Sequence, residues 1–230
     1  MWLQYSNCSF LGKAAWNGTQ AISMSAGSAS CGSFPNPGAN QTLYRQFVSA
    51  PSSTTASHLT LTSGGYTGVI DDSVANLGNF DGQSIAAINP NGGYGIAVQF
   101  AANGTRSGIT IGRRQTVNGV FDHSVTGSLS ISEGVSASSR TVNGSVAVYH
   151  NLLRVIGTSQ FTNVLHSNVC CVPVSGEIQT TFSAGSNVSP TVLGSLIVGK
   201  SEKLTFTGCG TATLTEASGN VRNVTLNRCF

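Results

Sequence analysis

Charge is what this 230-residue chain has least of: Lys, Arg, Asp and Glu together make up 8 % of it. Globular proteins carry about 25 %, so there is little long-range field to steer a polyanion, and nucleic acid is not implied. Chemistry-bearing spacings are also missing. No C-x-x-C pair occurs, which argues against thiol redox chemistry and zinc ribbons. The four histidines, His58, His123, His150 and His166, form neither H-x-H nor H-E-x-x-H, so zinc chemistry has no motif. There is no G-x-S-x-G and no S-x-x-K. Apolar runs stop well short of a transmembrane helix, and no basic stretch followed by a hydrophobic one opens the chain. Met1-Trp2-Leu3-Gln4-Tyr5 already reads as a strand, so an upstream segment is expected to be missing.

What the chain does have is six cysteines: Cys8, Cys31, Cys170, Cys171, Cys209 and Cys229. Their even number and spacing predict a three-bond disulfide framework and an oxidising, extracytoplasmic compartment. Cys8 and Cys31 are expected to pair, because they are remote from the other four. Neighbouring residues of a strand point to opposite faces, so Cys170 and Cys171 should have different partners. The pairing among Cys170, Cys171, Cys209 and Cys229 stays open.

Period-two alternation dominates. Leu59 and Leu61 sit among Ser and Thr; Ile96, Val98 and Phe100 alternate with Ala97 and Gln99; Leu129 and Ile131 alternate with serines; Leu204 and Phe206 alternate with threonines. Such segments are strands with one buried face. Asn-Gly at 17, 91, 103, 118 and 143 supplies the positive φ of two-residue hairpin turns. Arg114–Gly119 is echoed by Arg140–Gly144, which reads as two similar hairpins. The expected fold is therefore all-β: an antiparallel meander of hairpins closed as a sandwich or rolled sheet and stapled by disulfides. A single domain, 1–230, is expected, with sections 1–50, 57–168 and 169–230.

The tail segments Cys170-Cys171-Val172-Pro173-Val174-Ser175-Gly176, Leu204-Thr205-Phe206-Thr207-Gly208-Cys209-Gly210 and Val224-Thr225-Leu226-Asn227-Arg228-Cys229-Phe230 resemble the ends of Ser/Thr-rich extracytoplasmic lipoproteins of Gram-negative bacteria. The resemblance spans roughly the last 90 residues and implies an envelope or cell-surface location. It implies no catalytic residue. Tyr5-Ser6-Asn7 before Cys8 is too bulky and polar for a lipid-attachment site.

Several residues are candidates for binding. Arg106, Arg113 and Arg114 form the one local basic cluster and read as solvated edge-strand charges, which blunt edge pairing, rather than as a polyanion site. Asp71, Asp72 and Asp81, with Asn76 and Asn79, read as turn residues, with calcium as the alternative. Trp16, beside Asn17-Gly18, is the tryptophan placed to sit at a loop tip and stack on a sugar, or else to fold back on the sheet edge. Asp122-His123 could join a serine triad, but no motif supplies a nucleophile. Glu133, Glu177, Glu202 and Glu216 are too spread out to define a glycosidase pair. Sequons at Asn7, Asn17, Asn40, Asn103, Asn143, Asn187 and Asn223 read mainly as a product of composition.

These readings point to a cell-surface or envelope protein acting by surface contact, in adhesion or structure, on a glycan or another envelope protein and without a cofactor. The competing reading is a binding module whose rolled sheet encloses an apolar pocket for a lipid or other hydrophobe. A hydrolase on a β scaffold comes third. A pocket of several hundred cubic ångströms separates the second from the first.

Overall fold

The computed structural model of the chain describes residues 1–10, 14–25, 39–73, 88, 93–118, 121–133, 138–185 and 188–226. The alternating segments form β1 (Trp2–Phe10), β2 (Ala14–Met24), β3 (Thr42–Val48), β4 (His58–Ser63), β5 (Tyr66–Asp71), β6 (Gly95–Phe100), β7 (Arg106–Val117), β8 (Phe121–Glu133), β9 (Ser139–His150), β10 (Val155–Ser167), β11 (Ser175–Ala184), β12 (Ser201–Gly208), β13 (Thr211–Thr215) and β14 (Val221–Thr225). One helical turn, Val192–Ser195, is capped by the Thr191 hydroxyl, which accepts from Gly194 N. All fourteen strands belong to one antiparallel sheet, as the alternation predicts.

The registers simplify this sheet further. Thr19–Met24 of β2 pair with β3, and Ala15–Asn17 pair with β4 on the same edge. Arg106–Gly112 of β7 pair with β6, and Arg114–Val117 pair with β5, again along one edge. β3 and β4 thus continue one another as a single row, and β5 and β6 make the next; these rows pair through β4–β5 and β3–β6. Counted this way, every row neighbours the row before it in the chain, which is the meander expected of hairpin-linked strands. The two rows are interrupted at the same level, the first between Val48 and His58 and the second after Asp71 and before Gly95.

Directly opposed residues share a face. Leu43, Val98, Ile109, Leu129, Gly144, Phe161, Ile178, Leu204 and Leu214 run across nine rows as one apolar line. One residue along, Ala97, Thr110, Ser128, Ser145, Gln160, Gln179, Lys203 and Thr215 form a mainly polar line on the other face. The apolar line closes into a core towards the C-terminus. There Val164, Phe206 and Ala212 are buried under Val142, Phe161, Ile178, Leu204, Val224 and Leu226.

Two of the expected Asn-Gly hairpin turns are not turns. Asn17-Gly18 lies inside β2 and Asn143-Gly144 inside β9, so the Arg114–Gly119 and Arg140–Gly144 segments are not equivalent hairpins. Each in-strand pair faces a bulge in the partner strand, at Tyr5-Ser6-Asn7 and at Phe161-Thr162-Asn163. The bulged asparagines, Asn7 (φ 48) and Asn163 (φ 50), donate their backbone N–H to Asn17 Oδ1 and Asn143 Oδ1, each at 2.7 Å. Gly144 (φ 121) needs to be glycine, because a Cβ there would lie 2.4 Å from the Ser128 carbonyl oxygen. Asn103-Gly104 lies in the connection between β6 and β7, with the positive φ on Gly104 (φ 77), and Asn118 (φ 50) directly follows β7, while Gly119 lies outside the described residues. Asn91-Gly92 and Asn187 lie outside the described residues.

Cys170 bonds to Cys209, with Cα atoms 5.8 Å apart, and Cys171 is disulfide-bonded as well. The adjacent cysteines thus do not bond to each other; both lie in the connection between β10 and β11 and not in a strand, so the strand geometry expected to separate them does not apply. Cys8 differs from expectation: it is an exposed free thiol on β1, in register with Trp16, so the Cys8–Cys31 bond is not formed. Cys31 and Cys229 lie outside the described residues. The Cys170–Cys209 bond closes a separation of 39 residues, for which the chain-entropy relation gives about 4 kcal/mol. Replacing both cysteines with serine should lower the unfolding free energy by roughly that amount in denaturant titration, and alkylation of the native protein should label Cys8.

Candidate functional site

Asp72 is the first residue after β5, at the point where the row formed by β5 and β6 is interrupted. Its side chain is fully buried. Arg113, in the middle of β7, grips it with both ends of its fork: Nε donates to Oδ1 and Nη2 to Oδ2, each at 2.8 Å. The Phe47 backbone N–H donates to Oδ2 at 2.7 Å. Asp72 N–H donates to the Ser57 carbonyl, and the Asp72 carbonyl accepts from Tyr94 N–H. One residue thereby joins the ends of β3, β4, β5 and β6 to β7. Burial pushes the Asp72 carboxyl above its ordinary range, against the opposing pull of the Arg113 hydrogen bonds and charge. The Arg113 guanidinium also stacks on the Phe47 ring, 4.7 Å from its centroid.

Beside this ion pair lies a cavity of about 400 Å³, lined by residues of β1, β2, β3, β4, β5 and β7. Its walls are largely apolar: Tyr5, Trp16, Phe47, Leu59 and Ile70. The registers explain why these side chains meet. Gln20 is paired with Phe47, and Leu59 with Ile70, so they share one face of adjoining rows. The polar part consists of Gln20, Arg45, Ser9, Cys8 and the Arg113 fork. Gln20 is only 2 % exposed, and its Oε1 accepts from Arg45 Nη2 at 3.3 Å and from Tyr5 Oη at 3.5 Å.

Trp16 is therefore neither at a loop tip nor on a free edge. It stands within β2, between Cys8 of β1 and Leu61 of β4, and forms cavity wall. The three basic candidates also differ from the expectation of solvated edge charges. β7 is paired along both edges, and each of its arginines has a carboxylate: Arg106 binds Glu133, Arg113 binds Asp72, and Arg114 binds Asp122. Glu133 is held below the usual carboxylate range by the Arg106 hydrogen bonds. These charges are consumed within the sheet, so the cluster does not present a basic patch.

Of the aspartate group, Asp71 closes a local turn, its Oδ1 accepting from Ser73 N–H at 2.8 Å. Asp72 is filled by Arg113, and Asp81, Asn76 and Asn79 lie outside the described residues. Among the described residues no group of three or more His, Cys, Asp or Glu is placed to hold a metal ion. Asp122 and His123 point to opposite faces of β8, and the Asp122 carboxylate accepts from Arg114 Nε at 3.0 Å. The Asp122-His123 dyad is thus not assembled. His123 instead opposes His150 across the sheet, and both pack edge-on to Phe121, with ring centroids 5.1 and 4.8 Å apart.

Seven of the lining residues, Tyr5, Ser9, Gln20, Arg45, Phe47, Leu59 and Ile70, were not candidates from sequence. Their alternation phase marks each as facing one side of a strand. What it omits is that β3 and β4 form one row, which brings Phe47 and Leu59 to the same wall. No protein-family model, curated protein or solved structure matches this chain.

Arg113→Met should leave the Asp72 carboxylate buried without its counter-charge and lower stability by roughly 3–5 kcal/mol. The double change Asp72→Asn with Arg113→Met should recover much of this, because Asn keeps an acceptor for Phe47 N–H. Equal losses in denaturant titration would show that Asp72 is not held as a charge.

Histidine titration supplies a second expectation. Burial lowers the His123 pKa, the His150 charge adds to the effect, and Asp122 opposes it; His166 is lowered by burial and then by Arg140. Both groups protonate more readily in the unfolded chain, so they cost nothing above the unfolded histidine pKa and destabilise progressively below it. The melting temperature should fall between about pH 7 and about pH 5, and His123→Phe with His166→Gln should flatten that slope. An unchanged slope would assign the loss to other groups.

Proposed function

We propose that this chain is an extracytoplasmic binding module that takes a small hydrophobic molecule into the cavity walled by Tyr5, Trp16, Phe47, Leu59 and Ile70. The observation that carries the reading is the cavity itself. Its volume of about 400 Å³ falls within the range of roughly 300–1,000 Å³ typical of small-molecule sites. Apolar and aromatic walls with a few convergent polar groups are the usual composition of such sites. Removing apolar ligand surface from water contributes about 25 cal/mol per Å², and three aromatic rings offer large, rigid contact areas. The compartment rests on the disulfides, since such bonds persist where the surroundings are oxidising. The resemblance of the C-terminal tail to Gram-negative surface lipoproteins points the same way. No helix among the described residues is long and apolar enough to cross a membrane.

Surface contact with a glycan or envelope protein is the second reading. What favours it is the Ser/Thr/Gln line on the face opposite the apolar one, which offers hydrogen bonding over many rows without charge.

The discriminating measurement is a titration of 1-decanol followed by tryptophan fluorescence in a Trp2→Phe background, which leaves Trp16 as the reporter. The cavity reading predicts saturable binding with one site per chain. Leu59→Trp, which fills the cavity, should abolish it while circular dichroism stays β-rich. A linear, unsaturated response, together with binding on a glycan array that survives Leu59→Trp, would replace the pocket with the surface.

A further inference from the structure

Two arginines line the cavity, and they are in opposite electrostatic states. Arg113 is committed: its fork is occupied by Asp72 and its face by Phe47. Arg45 is not. It is exposed, and the one hydrogen bond seen for its guanidinium goes to the amide oxygen of Gln20, a neutral partner, at 3.3 Å. Among the described residues no carboxylate lies within ion-pair distance of it, whereas Arg106, Arg113 and Arg114 each have one. Its place in the sheet makes this more pointed. Arg45 is opposed by Ile22 on one side and by Ile96 on the other, so the cation stands on an apolar strip at the cavity.

A guanidinium keeps its charge at any pH at which the protein is folded and presents its donors in a fixed fork that matches a carboxylate. Placed where an apolar cavity meets solvent, it suits a molecule that is hydrophobic along its body and anionic at one end. Gln20 holds the guanidinium that would meet such a head group. The same amide oxygen takes both the Arg45 Nη2 and the Tyr5 Oη donors, which aligns the guanidinium with the aromatic wall. Arg113 cannot substitute as the anchor, because engaging a ligand would strip the buried Asp72 of its counter-charge.

Resting on the reading of the cavity as a ligand site, we infer that its ligand class is the amphipathic monocarboxylate, an alkyl or aryl body in the cavity with its carboxylate on Arg45. Charge-assisted hydrogen bonds are roughly twice as strong as neutral ones, and the contact is partly open to water, which weakens it. Decanoate should therefore bind roughly 3- to 10-fold more tightly than 1-decanol at about 0.05 M salt, with the preference shrinking towards about 0.5 M as the charges are screened.

The test is calorimetric titration of the intact protein with decanoate, 1-decanol and decyltrimethylammonium. Arg45→Gln should bring decanoate down to the affinity of 1-decanol and leave 1-decanol unchanged. Arg45→Lys should keep most of the preference. Arg222→Gln, on β14 at the far end of the sheet, should alter neither affinity. Melting temperatures of all variants confirm that the fold is retained. If decanoate and 1-decanol bind equally and Arg45→Gln changes neither, the head-group assignment falls while the cavity remains a binding site. If decyltrimethylammonium binds best, the sign of the recognised charge is wrong. If none of the three binds, both the assignment and the reading beneath it fail.

Discussion

The buried pair of Asp72 and Arg113 is the contact on which the N-terminal half of the sheet depends. Four strand ends converge on it, and beside the Ser57 N–H to Phe47 carbonyl bond it is the side-chain contact that ties them to β7. β3 stops at Val48, β4 starts at His58, β5 stops at Asp71 and β6 starts at Gly95. Asp72 ties this junction together through its carboxylate, its N–H and its carbonyl. A buried ion pair is not in itself a source of stability, since desolvation offsets much of the attraction. Its value here lies in specification. Only one register of the interrupted rows places an acceptor at Phe47 N–H and a fork at Asp72 together.

The cavity follows from the same interruption. In the regular part of the sheet, beyond β8, apolar side chains oppose one another row by row and pack into the core around Val164, Phe206 and Ala212. In the N-terminal part, Trp16, Phe47, Leu59 and Ile70 share a face without filling the space between them. The Arg113 fork, drawn towards Asp72, becomes part of the wall. A structural clasp and a candidate binding site are therefore built from shared residues, and Arg45, which has no carboxylate within ion-pair distance among the described residues, is the cavity arginine not needed by the clasp.

Scarcity of charge gives each ion pair a definite place. Three of the arginines sit on β7, the row shared by the interrupted and the regular halves of the sheet, and their carboxylates come from both sides of it: Asp72 from the β5–β6 row, and Asp122 and Glu133 from β8. What looks like a basic cluster in one dimension is a set of cross-row tethers in three. The in-strand Asn-Gly pairs work in a similar way. Asn17 and Asn143 each satisfy a backbone N–H that a bulge in the neighbouring row would otherwise leave unpaired.

Much of the fold was legible in the sequence, because strand formation here is a local matter. Alternation in segments such as Ile96–Phe100 and Leu204–Thr207 dictates which residues share a face, and hairpin-length connections dictate that successive rows pair. Tertiary structure alone decided what depends on partners distant in the chain. Asp72 and Arg113 are 41 residues apart and their pairing leaves no local trace. Asn-Gly permits positive φ in a turn and in a bulge alike, so only the partner strand determines which it becomes. Trp16 looked like a loop residue because Asn17-Gly18 follows it, and became cavity wall because β1 and β4 pair on either side of β2. The site was illegible for the same reason: its walls come from six strands, and their meeting depends on two rows being interrupted at one level, which no periodicity records.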